Sequence, residues 1–218
     1  MKNSIIALGL ACGLFAAQTH AATGTVIIDD FDSNPQSVSN TSLGTISSSS
    51  AIRTLSSNLI ADMTPVNSSA EVTGTAGSGI LDITNGTGEN SIVDVSWSNL
   101  SFNLPTNALA NFFFEIVSSD GNPTHVSFTL NGTSLFTADI PANTSNQTIS
   151  FNVDPALLNA GGTLDLQITG ATGWDMAIDA FGVSWSTPSA SVPEPTSIAL
   201  LSAGLVGLGA LRRRKQQK

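Results

Sequence analysis

The stretch HVSFTLNGTSLF, residues 125–136, contains the pattern that decides the fold of this chain. In its first half, Val126, Phe128 and Leu130 alternate with polar residues, which is the two-residue period of a strand with one buried face. The dipeptide Asn-Gly follows at positions 131–132 and favours the tight turn of a β-hairpin. The stretch therefore predicts two antiparallel strands joined by a two-residue turn.

The same alternation recurs on both sides of this hairpin. It predicts about ten short strands, separated by turn residues, at 25–31, 52–60, 80–84, 92–97, 112–117, 125–130, 135–136, 148–153, 163–168 and 176–185. The Ser/Thr-rich stretch 37–50 is predicted to be loop, Asn-Gly at 85–86 predicts another turn, and 154–158 predicts one helical turn capped by Asp154. The sequence thus predicts an all-β body at 22–185, a β-sandwich with a jelly roll as the preferred arrangement.

Acidic and basic residues are unevenly distributed along the chain. Charged residues make up 11% of the sequence, against about 25% in a typical soluble domain. Between positions 22 and 195 there are sixteen acidic residues and a single basic one, Arg53, so this part carries a net charge of −15. Nucleic-acid binding by the body is excluded, because contacts with phosphates need Lys and Arg. Cations such as Ca²⁺ would instead be attracted.

The N-terminus predicts a signal peptide over residues 1–21. Lys2 supplies the positive start, positions 5–17 are apolar, and small residues precede a cleavage site after Ala21. Cleavage after Ala22 is the near alternative, and a lipoprotein acylated at Cys12 is a rival interpretation. Cys12 is the only cysteine of the chain, so the mature body is expected to contain no disulfide.

The C-terminus predicts a membrane tether. A Ser/Pro/Ala linker at 186–192 leads to residues 193–218, in which the span 196–211 contains no charged residue. Sixteen helical residues extend about 24 Å, slightly less than the ~30 Å of a hydrocarbon core. A buried core helix is the alternative, but the basic cluster that follows favours a short transmembrane helix with its end in the cytoplasm. That cluster, the basic stop, consists of Arg212, Arg213, Arg214 and Lys215.

Together these C-terminal features resemble the PEP-CTERM sorting signal. The motif residues are Val192, Pro193, Glu194 and Pro195, followed by the Gly- and Leu-rich span and the basic stop. The resemblance implies processing by signal peptidase and by an exosortase in the inner membrane. It also implies transient anchoring and delivery to the cell surface or the extracellular matrix, as in the biofilm of a Gram-negative bacterium.

The first and last strands of the body carry a second resemblance. VIIDDF at 26–31 and AIDAFGV at 177–183 resemble the end strands of jelly-roll modules related to carbohydrate-binding and galactose-binding-like domains. In such modules these two strands are neighbours, and their ends often hold a structural Ca²⁺. The resemblance makes four carboxylates candidate calcium ligands, the only cofactor considered: Asp29, Asp30, Asp32 and Asp179.

Other candidate sites are weighed against structural roles. Trp174 follows a Thr-Gly pair, which suggests a loop tryptophan that could stack on a sugar, although core packing is the preferred interpretation. His125 is expected to be an exposed strand residue rather than a catalytic base. Glu71, Glu89 and Glu115 could serve a glycosidase, but no spacing selects a pair. The sequence therefore predicts a non-enzymatic surface or matrix protein with no catalytic residue, and its alternative is a module that binds exopolysaccharide.

Overall fold

The computed structural model describes residues 21–62 and 67–189, together with Gly204. Thr23–Pro188 forms one compact unit. The second unit, Met1–Ala22 with Ser189–Lys218, lies almost entirely outside the described residues. The predicted signal peptide, sorting motif, membrane helix and basic stop lie outside them too, except for Ala21 and Gly204. Within the described ranges, no helix is both long enough and apolar enough to cross a membrane.

The described residues contain thirteen strands and one short helix. The first seven strands are β1 (Thr23–Asp29), β2 (Gln36–Ser39), β3 (Gly44–Ser49), β4 (Thr54–Ala61), β5 (Ser69–Val72), β6 (Leu81–Thr84) and β7 (Asn90–Leu100). The others are β8 (Leu109–Ser119), β9 (Thr124–Leu130), β10 (Thr133–Ile140), β11 (Ser145–Val153), β12 (Gly162–Gly170) and β13 (Met176–Ser186), with α1 (Pro155–Ala160) between β11 and β12.

These strands form two antiparallel sheets. Sheet A has seven strands in the order β11-β8-β13-β6-β5-β2, and β1 also pairs with β13. Sheet B has six strands in the order β10-β9-β12-β7-β4-β3. The prediction of an all-β, two-sheet sandwich is therefore confirmed.

The core lies between the sheets and is built by alternation along each strand. From β7, Val93, Val95 and Trp97 point inward, and from β8 the buried side chains include Phe112 and Phe114. Aromatic rings meet across the sandwich: the centroids of Phe112 and Phe128 lie 4.9 Å apart, and those of Trp97 and Phe181 lie 4.4 Å apart. Each such pair contributes about 0.5–1.5 kcal/mol beyond its buried area.

The hairpin at 131–132 is confirmed. Asn131 has φ 51° and Gly132 has φ 76°, the left-handed conformation that both central residues of a type I′ turn require. β9 and β10 pair directly on either side of this turn. The helical turn is confirmed as well, because the Asp154 carboxylate accepts the N–H of Ala156 at 2.8 Å and caps α1.

The other Asn-Gly pair does not make a hairpin. Asn85 and Gly86 follow β6, which belongs to sheet A, whereas the next strand, β7, belongs to sheet B. Neither residue has a positive φ. The prediction of a hairpin at Asn85-Gly86 is therefore wrong, because this segment connects a strand of sheet A to a strand of sheet B.

Three strands of the described residues were not anticipated. The predicted loop at 37–50 contains most of β2 and all of β3, and β5 lies in a segment for which no strand was predicted. β3 lies at the edge of sheet B and is exposed along most of its length. Its Ser- and Thr-rich sequence therefore needs no apolar alternation, which is why the pattern does not reveal it.

The first and last strands of the body are neighbours, as predicted. β1 pairs antiparallel with β13, from Thr23 opposite Ser186 to Asp29 opposite Phe181. The ring of Trp185 lies over Gly24, so a Cβ there would lie 2.6 Å from that ring and would displace it. The pairing brings the loop after β1 towards the middle of β13.

Candidate functional site

Asp29 lies in a buried ion pair at the end of β1. Its Oδ2 accepts Arg53 N–H at 2.6 Å and Trp97 Nε1–H at 2.7 Å, and its Oδ1 accepts the N–H of Phe31 at 2.9 Å. The Arg53 guanidinium also donates to the carbonyl oxygens of the β1–β2 loop and lies 5.4 Å from the centroid of the Phe31 ring. This pair connects both sheets, so Asp29 has a structural role. Both of its carboxylate oxygens already accept hydrogen bonds within the protein.

Asp32 holds two loops together. Its two carboxylate oxygens accept the N–H groups of Gly77 at 2.7 Å, Ser78 at 3.1 Å and Gly79 at 2.8 Å. The bond from Gly77, followed by the one from Gly79, lowers the pKa of Asp32. The side chain of Asp30 accepts the N–H of Asp32 at 3.1 Å.

The four predicted calcium ligands do not form one group. Asp29 is taken up by Arg53, whose positive charge disfavours a cation beside it. Asp179 lies in an irregularity of β13, where burial, and then the charges of Asp32 and Asp30, raise its pKa. Within 21–62 and 67–189, no three His, Cys, Asp or Glu side chains are placed to hold a metal ion. Calcium binding without Asp29 stays a prediction.

The tryptophans are mostly core residues. Trp174 is fully buried, and its Nε1 donates to the carbonyl of Ser91 at 3.1 Å. It offers no face to a ligand, so the stacking role considered for Trp174 is corrected to core packing. Trp97 is buried as well, and Trp185 is half-buried.

The other candidate catalytic groups lie apart in the structure. His125 is exposed on β9, and its Nδ1 lies 2.7 Å from an oxygen of Asp139. Glu89 is buried at 1% exposure and accepts hydrogen bonds from Asn67 N–H, Ser68 O–H and Gly86 N–H. These contacts make His125 a surface residue and Glu89 the acceptor that organises the turn before β7.

Sheet A carries a strongly acidic outer face. Glu71 on β5 lies directly opposite Asp82 on β6, an arrangement of like charges that destabilises a sheet. Burial, and then the charge of Glu71, raise the pKa of Asp82. In the loop before β13, burial raises the pKa of Asp175, with a smaller contribution from Asp120, against the effect of its hydrogen bond from Asn85 N–H.

This acidity predicts an unusual pH profile. We expect the free energy of unfolding of Thr23–Pro188 to rise as pH falls from neutral towards the ordinary aspartate pKa of 3.8. Because the folded-state pKa values of Asp82, Asp175 and Asp179 are raised, the native state takes up protons in this window before the unfolded chain does. Below the ordinary aspartate pKa, the free energy of unfolding should fall again as pH falls. The pKa of Asp32 is lowered in the folded state, so the stability that its ionised carboxylate contributes is lost once that group is protonated.

Urea unfolding at a series of pH values measures this profile. The variant Asp82→Asn should show a smaller rise between neutral pH and the ordinary aspartate range, because it removes one of the three groups. Stability that decreased steadily from neutral pH downward would contradict the prediction.

The outer face of β8 adds an aromatic ring to this acidic surface. Phe112 and Phe114 point into the core, so Phe113 between them points outward, where it is half-buried. Its partner on β13 is Gly182 and its partner on β11 is Ser150. Phe113 was not identified from the sequence, although the alternation within the Phe-Phe-Phe run contained the signal.

A recess of ≈ 220 Å³ lies beside this ring. It is lined by Glu115, Ile116 and Val117 of β8, Asn146, Gln147 and Thr148 of β11, and Asp179 of β13. Glu115 is two residues from Phe113, about 7 Å along the strand. A half-buried ring beside a recess with an amide, a hydroxyl and two carboxylates is suited to a polar, ring-shaped ligand.

Several solved structures are similar to this chain. TmCBM61, in complex with beta-1,4-galactotriose, is 12% identical, with 58% of this chain and 86% of that one covered and a TM-score of 0.34. A family 29 carbohydrate-binding module from Piromyces equi is 9% identical over 79% of this chain and 94% of its own, with a TM-score of 0.32. A family 35 module from Clostridium thermocellum is 14% identical over 69% and 98%, also with a TM-score of 0.32.

Comparison by sequence gives one further result. No curated protein matches the chain. Residues 191–215 match the family model of the PEP-CTERM protein-sorting motif, in agreement with the resemblance seen in the sequence. The chain therefore carries a PEP-CTERM sorting motif, which implies an exported protein that is transiently anchored in the membrane.

Proposed function

We propose that this protein is exported through the inner membrane, processed by signal peptidase and an exosortase, and delivered to the cell surface or extracellular matrix of a Gram-negative bacterium. The observation that carries the proposal is the motif at 191–215. It follows an acidic sandwich that forms a compact unit of its own, Thr23–Pro188. We include the jelly roll in the proposal, since β1 and β13 are neighbours and the chain passes repeatedly between the sheets.

A transplant of the C-terminal segment tests this proposal. Residues 186–218 fused to an unrelated exported protein should direct that protein to the surface in a strain with an exosortase. In an exosortase deletion strain the fusion should remain in the inner membrane with its tail attached. Equal surface delivery in both strains would contradict the proposal.

We propose further that the body is non-catalytic. His125 pairs with Asp139 at the surface, and Glu89 is buried among neutral donors. Glu115 and Asp179 do line one recess, and paired carboxylates are the groups that a glycosidase uses. Incubation of the protein with neutral oligosaccharides should nevertheless release no new reducing ends, and their release would contradict this part of the proposal.

A second candidate function is polysaccharide binding by the body. The observation that favours it is the outer face of sheet A, where Phe113 lies beside the recess formed by β8, β11 and β13. A protein delivered to the extracellular matrix would meet polysaccharide there.

A further inference from the structure

We propose that the outer face of β8, β11 and β13 binds a neutral polysaccharide, with Phe113 as the stacking surface and the adjacent recess as the hydrogen-bonding site. This inference rests on the second candidate function and names its site and ligand class. We call this surface the sheet A platform and define it by Phe113, Gly182 and the recess residues Glu115, Thr148 and Asp179.

The register of the strands makes the ring of Phe113 accessible. Its partners across the sheet, Gly182 and Ser150, are both small. A Cβ at Gly182 would meet Val26 O, Ile27 Cα at 3.1 Å and Cζ of Phe113 at 3.2 Å, so the tip of the ring reaches over the glycine towards β1, where Ile27 continues the row. On the other side the row ends at the exposed Ser150 of β11, so the side of the ring towards β11 is the one available to a flat ligand.

The recess provides hydrogen-bonding groups next to this ring. Glu115 pairs with Thr148 on β11, and on its other side it faces the irregular stretch of β13 that contains Asp179, between Ile178 and Phe181. Asn146 also lines the recess, and its amide can both donate and accept. Carboxylates accept strongly from hydroxyl groups, so the set matches a ligand that presents many hydroxyls. The volume, ≈ 220 Å³, is smaller than the ~300–1,000 Å³ of pockets for drug-sized ligands.

The negative charge around the sheet A platform favours a neutral ligand over an anionic one. Asp179 is close enough to Asp30 and Asp32 for their charges to raise its pKa, and Glu115 lines the same recess. Arg53 is the only Lys or Arg between positions 22 and 195, and it is buried against Asp29. An anionic polymer would therefore meet repulsion at the sheet A platform with no cation to offset it.

Calorimetric titration of the full chain tests the inference, in a detergent without a sugar headgroup. The probes are neutral hexasaccharides of β-1,4-glucan, β-1,4-xylan and β-1,4-mannan, and a hexasaccharide of alginate as the anionic comparison. We expect at least one neutral probe to bind, and alginate to bind at least about tenfold more weakly, which corresponds to ~1.4 kcal/mol.

Three variants test whether the sheet A platform is the binding site. Phe113→Ala should weaken binding of the neutral probe by about tenfold or more, the loss expected for one aromatic contact. Glu115→Gln combined with Asp179→Asn keeps the size but replaces one acceptor oxygen of each carboxylate by a donor and removes both charges. It should therefore weaken binding of the neutral probe and reduce the difference in affinity between the neutral probe and alginate. Ile46→Ala, an exposed apolar residue on β3 of sheet B, is the matched control and should leave both affinities unchanged.

The outcomes that would contradict this inference can be distinguished from those that would contradict polysaccharide binding by the body. If neither a neutral probe nor alginate binds, both this inference and polysaccharide binding by the body are wrong. If a neutral probe binds equally well to Phe113→Ala, or alginate binds best, the body binds polysaccharide but the sheet A platform or its ligand class is wrong. Processing of the C-terminal segment is measured separately, so it is unaffected by either result.

Discussion

Replacing Asp29 by Asn is expected to reduce the free energy of unfolding of Thr23–Pro188 by about 3–5 kcal/mol, the usual cost of breaking a buried ion pair. The side chain of Arg53 is 0% exposed and that of Asp29 is 3% exposed. Without the carboxylate charge, the guanidinium stays in the core with no compensating charge. Since a domain is stable by about 5–15 kcal/mol, this single change would remove a large part of the total.

The measurement is urea unfolding of Thr23–Pro188, with an exposed side-chain contact as the control. Asp139→Asn breaks the contact with His125, in which both side chains are largely exposed, and should cost less than about 1 kcal/mol. The double variant Asp29→Leu with Arg53→Met should lose less than the sum of its single changes, because it leaves no unpaired charge. Equal losses in Asp29→Asn and Asp139→Asn would show that the buried pair is not what holds β1 to the two sheets.

The second large effect concerns the sorting segment. Changing Arg212, Arg213 and Arg214 together to Ser is expected to weaken orientation, retention and processing, with Lys215 as the only residue of the basic stop that remains. Arginine at the centre of a membrane helix costs about 2.5–3.5 kcal/mol on insertion scales, so three of them resist passage of the C-terminal end across the bilayer. Glu194→Ala should block processing for a different reason, because it alters the motif that the exosortase is expected to recognise.

Immunoblots of membrane and surface fractions measure both effects. Lys218→Ser is the matched control, since this lysine lies beyond the matched residues 191–215 and its loss should change nothing. Processing that continued unchanged in the triple variant and in Glu194→Ala would show that the motif does not direct sorting.

The sequence was most informative where large apolar residues alternate. Val126, Phe128 and Leu130 identified β9 because one face of it is buried in the core. β3 escaped prediction because an exposed edge strand does not need such a pattern. At Asn85-Gly86 a turn forms between Gly86 and Glu89, but the chain changes sheet between β6 and β7, so the turn does not close a hairpin.

Long-range partners explain what was missed at the candidate site. Asp29 was grouped with its sequence neighbours as a calcium ligand, but its partner Arg53 is 24 positions away. The body at 22–185 has fifteen acidic residues and one arginine, so an acidic partner for Arg53 was to be expected, but the sequence did not show which one. Trp174 lies next to a Gly in a loop, yet it is buried, and its Nε1 donates to the carbonyl of Ser91, 83 positions away. The sheet A platform depends on strand order, because β11, β8 and β13 are neighbours only in the folded sheet.

The central claim is that the protein is exported and sorted by its C-terminal motif, and the intact mass of the protein recovered from the cell surface tests it most directly. The account predicts a chain that begins at Ala22 and lacks the apolar segment and the basic stop. Recovery of the surface protein with residues 196–218 still attached, or with a lipid on Cys12 at its N-terminus, would contradict it.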